Sequence, residues 1–140
     1  MKKLQLLIAT FGVAFFLLHS CSRETQPFEP PTVSKFLGQY TGKEDILSFA
    51  TNKIMDSKDA KVKVTQINNE SLSVIYTYSN AETFNFTANI DGAYEFKVPY
   101  QKTQNPSIGF RGYGKISDNV LSVHIEKDSS KMYYEYVGKK

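Results

Sequence analysis

TFNFTANI, residues 83–90, alternates without a break. Phe84, Phe86, Ala88 and Ile90 fall on one side, and Thr83, Asn85, Thr87 and Asn89 on the other. Successive side chains of a strand point to opposite faces, so this period of two predicts a strand with one buried face. Asp91-Gly92 follows, a dipeptide that favours a tight hairpin turn. AYEFKVPY (93–100) then repeats the pattern, with Tyr94, Phe96, Val98 and Tyr100 set against Glu95, Lys97 and Pro99.

The same reading extends in both directions. KVKVTQI (61–67) places Val62 and Val64 on one face, and Asn68-Asn69 makes a turn. LSVIYTYS (72–79) gathers Leu72, Val74, Tyr76 and Tyr78, before a turn at Ser79-Asn80-Ala81. Beyond the loop QKTQNPS (101–107) come IGFRGYGKI (108–116), a turn at Asp118-Asn119, and LSVHIE (121–126) with Leu121, Val123 and Ile125 inward. Asp128-Ser129-Ser130 turns again into KMYYEYV (131–137), with Met132, Tyr134 and Tyr136 on one side. The first strand lies within FLGQYTGKEDILSFA (36–50), and TNKIMDSKDA (51–60) reads as a loop or at most a helical turn. Short connections pair sequential strands antiparallel. An open meander leaves two edges that invite aggregation, and closing the eighth strand onto the first removes both. The expected fold is therefore all-β, an eight-stranded antiparallel up-and-down barrel over residues 36–140, with a two-sheet sandwich as the alternative.

Gly38-Gln39-Tyr40 opens the first strand. In a barrel of this strand count it resembles the lipocalin-like (calycin) group, which opens with Gly-x-Trp; this chain has Tyr40 there and no Trp. The resemblance implies a basic residue from a late strand over Tyr40, for which Lys131 is the candidate. From FLGQYTG through VPYQ to VGK, the pattern is also similar to small lipocalin-like lipoproteins of Bacteroidota.

The N-terminus points to a compartment. Lys2 and Lys3 precede a mostly apolar run, Leu4 to Leu18, that is too short for the roughly 20 residues a spanning helix needs. It reads as a secretory signal, residues 1–20. The run ends Leu18-His19-Ser20-Cys21, which resembles the bacterial lipobox; His19 stands where Ala or Ser is usual. That resemblance implies that the chain's single cysteine, Cys21, receives a diacylglycerol and then a further acyl chain such as palmitate. Two chains give stable anchoring where one gives only marginal binding. Residues 21–35, with Pro27, Pro30 and Pro31, then form an extended flexible tether. The expected location is the bacterial cell envelope, lipid-anchored in the outer membrane. The whole chain carries 17 Lys+Arg against 14 Asp+Glu, and loss of residues 1–20 with their two lysines lowers the balance to +1. No clustered positive charge points to nucleic acid.

Few residues offer catalytic chemistry. His124 alternates outward, alone. The close acidic pairs Glu44-Asp45 and Asp56/Asp59 lack the spacing of a calcium loop. The glycines of GFRGYGK (109–115) are in no phosphate-loop order and fit tight strand coiling instead. The reading is of a protein with no catalytic residues, metal or cofactor. What stands out is the inward aromatic set, from which the candidate ligand-binding residues are Tyr76, Phe84, Phe86, Tyr94, Phe96, Phe110, Tyr134 and Tyr136, with Tyr94, Tyr134 and Tyr136 near one end. These residues either fill the barrel or line a pocket for a small hydrophobic or aromatic molecule. Two functions follow: a membrane-anchored, non-enzymatic carrier of such a ligand, or an anchored adaptor or inhibitor that binds a protein partner through its loops or an outer patch around Tyr113 and Tyr133.

Overall fold

The computed structural model describes residues 33–104, 107–128 and 130–140. The signal segment, Cys21 and most of the tether lie outside the described residues, as do positions 105, 106 and 129 within two of the expected loops.

Eight antiparallel strands close into a barrel in sequence order: β1 (Gly38–Ser48), β2 (Ile54–Gln66), β3 (Ser71–Tyr78), β4 (Thr83–Ile90), β5 (Glu95–Lys102), β6 (Gly109–Ser117), β7 (Val120–Lys127) and β8 (Met132–Lys139). The closing seam runs from Thr41 opposite Lys139 to Ser48 opposite Met132. It is a barrel and not a sandwich, because β8 pairs with β1 along nearly its whole length. Gly42 permits that approach: a Cβ there would lie 2.0 Å from the Val137 carbonyl oxygen on the neighbouring strand.

β4 bears out its alternation. Phe86 and Ala88 are buried and Phe84 and Ile90 half-buried, while Thr83, Asn85, Thr87 and Asn89 are exposed. The Asp118-Asn119 turn has positive φ at both residues (50° and 64°), the geometry that matches strand twist in a two-residue hairpin.

Two expectations about the strands fail. Residues 54–60 are not a loop but the first half of β2, paired with β1 from Ile54 opposite Leu47 onward. They show no alternation because residues 54–59 are exposed on both faces; the pairing partner, not a buried face, makes them a strand. In β5 only Phe96 and Val98 point inward. The register shifts between Val98 and Gln101, around Pro99, which has no N–H to give a ladder. That bulge turns Tyr100 outward, where its hydroxyl donates to Asp128 Oδ2 at 2.7 Å.

The β4–β5 seam is the weakest, with ladder pairs only at Asn89–Lys97 and Ile90–Phe96. The Gln101 side chain takes over further along. Its Oε1 accepts from the Thr87 N–H at 2.9 Å, and its Nε2 donates to the Thr87 carbonyl at 2.6 Å.

One end of the barrel is plugged. Val33–Lys35, at the end of the segment read as tether, forms a 3₁₀ turn that drives Phe36 inside. Phe36 meets Phe96 edge to face at 5.9 Å. The buried Tyr40 hydroxyl donates to the Phe36 carbonyl at 2.8 Å, and burial pushes its pKa up to about 12. The basic residue over Tyr40 is Lys140, its Nζ 5.4 Å from the ring, and not Lys131, which is exposed. Lys140 follows directly after β8 on the closed-end side, whereas Lys131 enters β8 at the opposite end.

Candidate functional site

The middle of the barrel is packed with rings. Tyr76 on β3 is the hub, with Phe84, Phe86 and Tyr136 at centroid distances of 6.0, 5.9 and 5.3 Å. Phe110 on β6 closes the network at 5.0 Å from Phe84 and 6.2 Å from Phe86. Rings at these separations touch, and such pairs add about 0.5–1.5 kcal/mol beyond their buried area. Five of the eight expected ligand-binding residues thus lie together, as a filled interior. The hydroxyls of Tyr76 and Tyr136 are buried there with no hydrogen-bond partner. Burial pushes both phenols up, Tyr136 to about 12.

The other three separate. Phe96 belongs to the closed end, against Phe36. Tyr134 is half-buried at the opposite end. Tyr94 is outside: 54% exposed, one residue ahead of β5, its ring under Lys35 Nζ at 4.4 Å. Its backbone keeps its place in the barrel through Ile116 N–H to Tyr94 O at 2.8 Å, but the side chain does not enter. The expectation that Tyr94, Tyr134 and Tyr136 share one end is corrected accordingly. They occupy the outer surface, the mouth and the core.

The unplugged end carries the chemistry. A cavity of about 340 Å³ is lined there by Glu44, Ile46, Lys58, Tyr78, Phe84, Lys127 and Tyr134, among others. Glu44 is only 4% exposed, the one buried charged residue among those described. Its Oε2 accepts from the Tyr78 hydroxyl at 2.9 Å. Burial raises the Glu44 carboxyl above its ordinary value, against the opposing pull of that hydrogen bond and of Lys127 and Lys58. Burial lowers Lys127. The Lys127 ammonium rests 3.9 Å from the Tyr134 ring centroid and 5.2 Å from that of Phe84. The mouth therefore offers aromatic faces with a recessed carboxylate, a phenol and an ammonium around them. Lys58 and Glu82 add two more charged side chains to the lining, so the mouth is a largely polar site with aromatic faces.

Sequence reasoning named Tyr134 and Phe84 here but missed Glu44 and Lys127. The alternation held the signal. Tyr40, Gly42, Glu44 and Ile46 share a parity, as do Leu121, Val123, Ile125 and Lys127. A charge at an inward position was the clue.

A second cluster lies on the outer face. His124 Nδ1 is 2.6 Å from Glu135 Oε1 and its Nε2 is 3.3 Å from Glu126 Oε1. Its ring stacks on Tyr113 at 4.8 Å and meets Tyr133 at 5.1 Å. His124 points outward as expected, but it is the centre of a contact set and not a lone surface residue.

No family model matches the chain, and no curated protein matches it. Solved structures do. A redesigned β-barrel superposes with a TM-score of 0.58 at 7% identity, covering 78% of this chain and 94% of that one. The redesigned barrel mFAP1, bound to DFHBI, gives 0.57 at 6% identity over 78% and 98%. EF1p2_mFAP2b, also bound to DFHBI, gives 0.57 at 7% identity over 79% and 98%. At such identities the likeness concerns the fold: a closed eight-stranded, lipocalin-like barrel.

Proposed function

We propose that this protein is a lipid-anchored, non-enzymatic barrel of the bacterial cell envelope that binds a small aromatic molecule at its open end. The observation that carries the binding reading is the mouth itself. A cavity of about 340 Å³ bears aromatic walls and a buried carboxylate held by Tyr78. That volume suits a compact molecule of one or two rings, since pockets for drug-sized ligands begin at about 300 Å³. Two barrels of similar fold bind DFHBI, which supports the reading. Anchoring rests on LLHSC (17–21), the short apolar run before it and the lack of any other cysteine. The packed aromatic interior confines the ligand to the mouth, with Tyr134, Phe84 and Lys127 in contact with it.

One mass spectrum of the protein taken from its membrane under native conditions tests both halves. The expected result is a covalent diacylglycerol and acyl mass on Cys21, together with a non-covalent small molecule released on unfolding. An unmodified Cys21 contradicts the anchor, and a bare barrel counts against the ligand.

A second reading is favoured by one observation. Tyr113, His124 and Tyr133 form an aromatic stack on the outer face, with Tyr113 largely exposed. Tyrosines at such surfaces are frequent anchors of protein interfaces. In that reading the barrel is scaffold and this face holds a protein partner.

A further inference from the structure

β2 is longer than its neighbour can cover. It spans 13 residues and pairs with β1 from Ile54, but β3 joins it only at Ala60, opposite Tyr78. Among the described residues, positions 54–59, IMDSKD, are thus strand-paired on one side and bare on the other. Every one of them is exposed, and Ile54 and Met55 are 58% and 60% exposed. A closed barrel is expected to leave no strand edge, yet among the described residues one remains.

The backbone direction along that edge follows from the ladder. In antiparallel pairs a residue's N–H and C=O point to the same neighbour, and the direction alternates along the strand. The Tyr78 N–H donates to Glu82 O at 3.0 Å, so Tyr78 faces β4. Thr77 therefore faces β2, and its ladder partner Lys61 faces β3. Alternation carries this back along β2 to Asp59 and Ser57, which turn their amides and carbonyls to the bare side; it ends at Met55, the extra residue of a bulge between Asp56 opposite Ile46 and Ile54 opposite Leu47. One hydrogen bond agrees. The Ser57 N–H is held by the neighbouring Asp56 Oδ1 at 2.9 Å and not by a strand.

We infer that this edge pairs with the same edge of a second copy, antiparallel about Ser57. The charge pattern selects both occupant and register. With Ser57 opposite Ser57, Asp56 faces Lys58 of the second copy and Lys58 faces its Asp56, giving two opposite-charge pairs at directly facing positions. Met55 of each copy then lies opposite Asp59 of the other, at the bulge where the regular ladder ends. Centring on Asp59 sets like charges against each other and runs the second strand into β3. Centring on Met55 leaves Asp56 facing Ile54 and Lys58 facing Asn52, with no charge pair. Opposite charges facing across strands stabilise a pairing, and like charges weaken it. The dimer is two-fold and self-complementary. Because Lys58 also lines the mouth, the two open ends meet in it.

Cysteine cross-linking of the full chain in its own membrane tests the register, with the native chain as baseline. In a hydrogen-bonded antiparallel pair the Cα atoms are about 5.5 Å apart, within disulfide reach. Ser57→Cys should give a dimer on mild oxidation. Met55→Cys or Asp59→Cys alone should stay at baseline, and the two expressed together should link. That mixture reads the same register if Ser57→Cys does not accumulate. Asp56→Lys should cut the Ser57→Cys dimer about tenfold, as expected for like charges brought together, and adding Lys58→Asp should restore it. No dimer at Ser57, equal linking at positions 55, 57 and 59, or a cross-link to a protein of another mass would each overturn the inference.

Discussion

The two ends of this barrel are built from different kinds of residue. At the closed end, Phe36, Tyr40, Phe96, Leu72 and Leu121 are all buried, and the one phenol among them has a partner. At the open end, Glu44, Tyr78, Lys127 and Tyr134 surround a cavity, and burial shifts the carboxyl of Glu44 and the ammonium of Lys127 toward their neutral forms. The first arrangement stabilises the fold. The second costs free energy, since a buried charge is unfavourable until something pairs with it. A fold that retains such a cost at one end and avoids it at the other keeps its stability apart from the end proposed to bind.

Truncation should expose that separation. Phe96→Ala at the closed end, or Tyr136→Ala in the aromatic core, should cost about 3–5 kcal/mol in a urea melt, the cost of emptying a packed ring site. Tyr134→Ala at the mouth should cost about 1–2 kcal/mol, because its ring is only half-buried. Tyr94→Ala, on the outer surface, should stay within about 0.5 kcal/mol. Equal losses at positions 96 and 134 would show that the mouth is part of the packed core and erase the contrast.

Titration sharpens it. Burial gives folded Glu44 a higher pKa than the unfolded chain, so the folded state binds the proton more tightly. This group's penalty is absent at low pH and grows as pH rises from the ordinary carboxyl value through the raised one. Glu44→Gln keeps an acceptor for the Tyr78 hydroxyl and removes the charge. It should therefore melt at higher urea than the native chain at about pH 8, with the gap closing by about pH 4. A variant less stable than the native chain at both pH values would mean that the carboxylate is paired well enough to be favourable.

The strands were legible wherever one face is buried and the other wet. β4 and β7 follow period two residue by residue, because the packed rings on one side and water on the other select opposite side chains. The first half of β2 was not legible, since residues 54–59 face water on both sides and carry no pattern. Tyr94 was misplaced because alternation was extended one residue past the start of β5, and Tyr100 because the bulge at Pro99 shifts parity. Period two says nothing about where a strand begins or slips. The candidate site was legible in its apolar half. Its charged half, Glu44 and Lys127, lay at inward parity but was passed over, since a charge in a strand reads as solvent-facing until the ends of the barrel are known.

The claim that binding is confined to the open end is tested most directly by titrating the full chain with the fluorescent dye anilinonaphthalene sulfonate. The expected result is saturable binding of one dye per barrel, weakened about tenfold by Tyr134→Ala or Lys127→Met, a loss of about 1.4 kcal/mol. Tyr113→Ala, on the outer face, should leave the affinity unchanged. Binding that fails to saturate, or that falls with Tyr113→Ala and not with the mouth variants, would contradict the account.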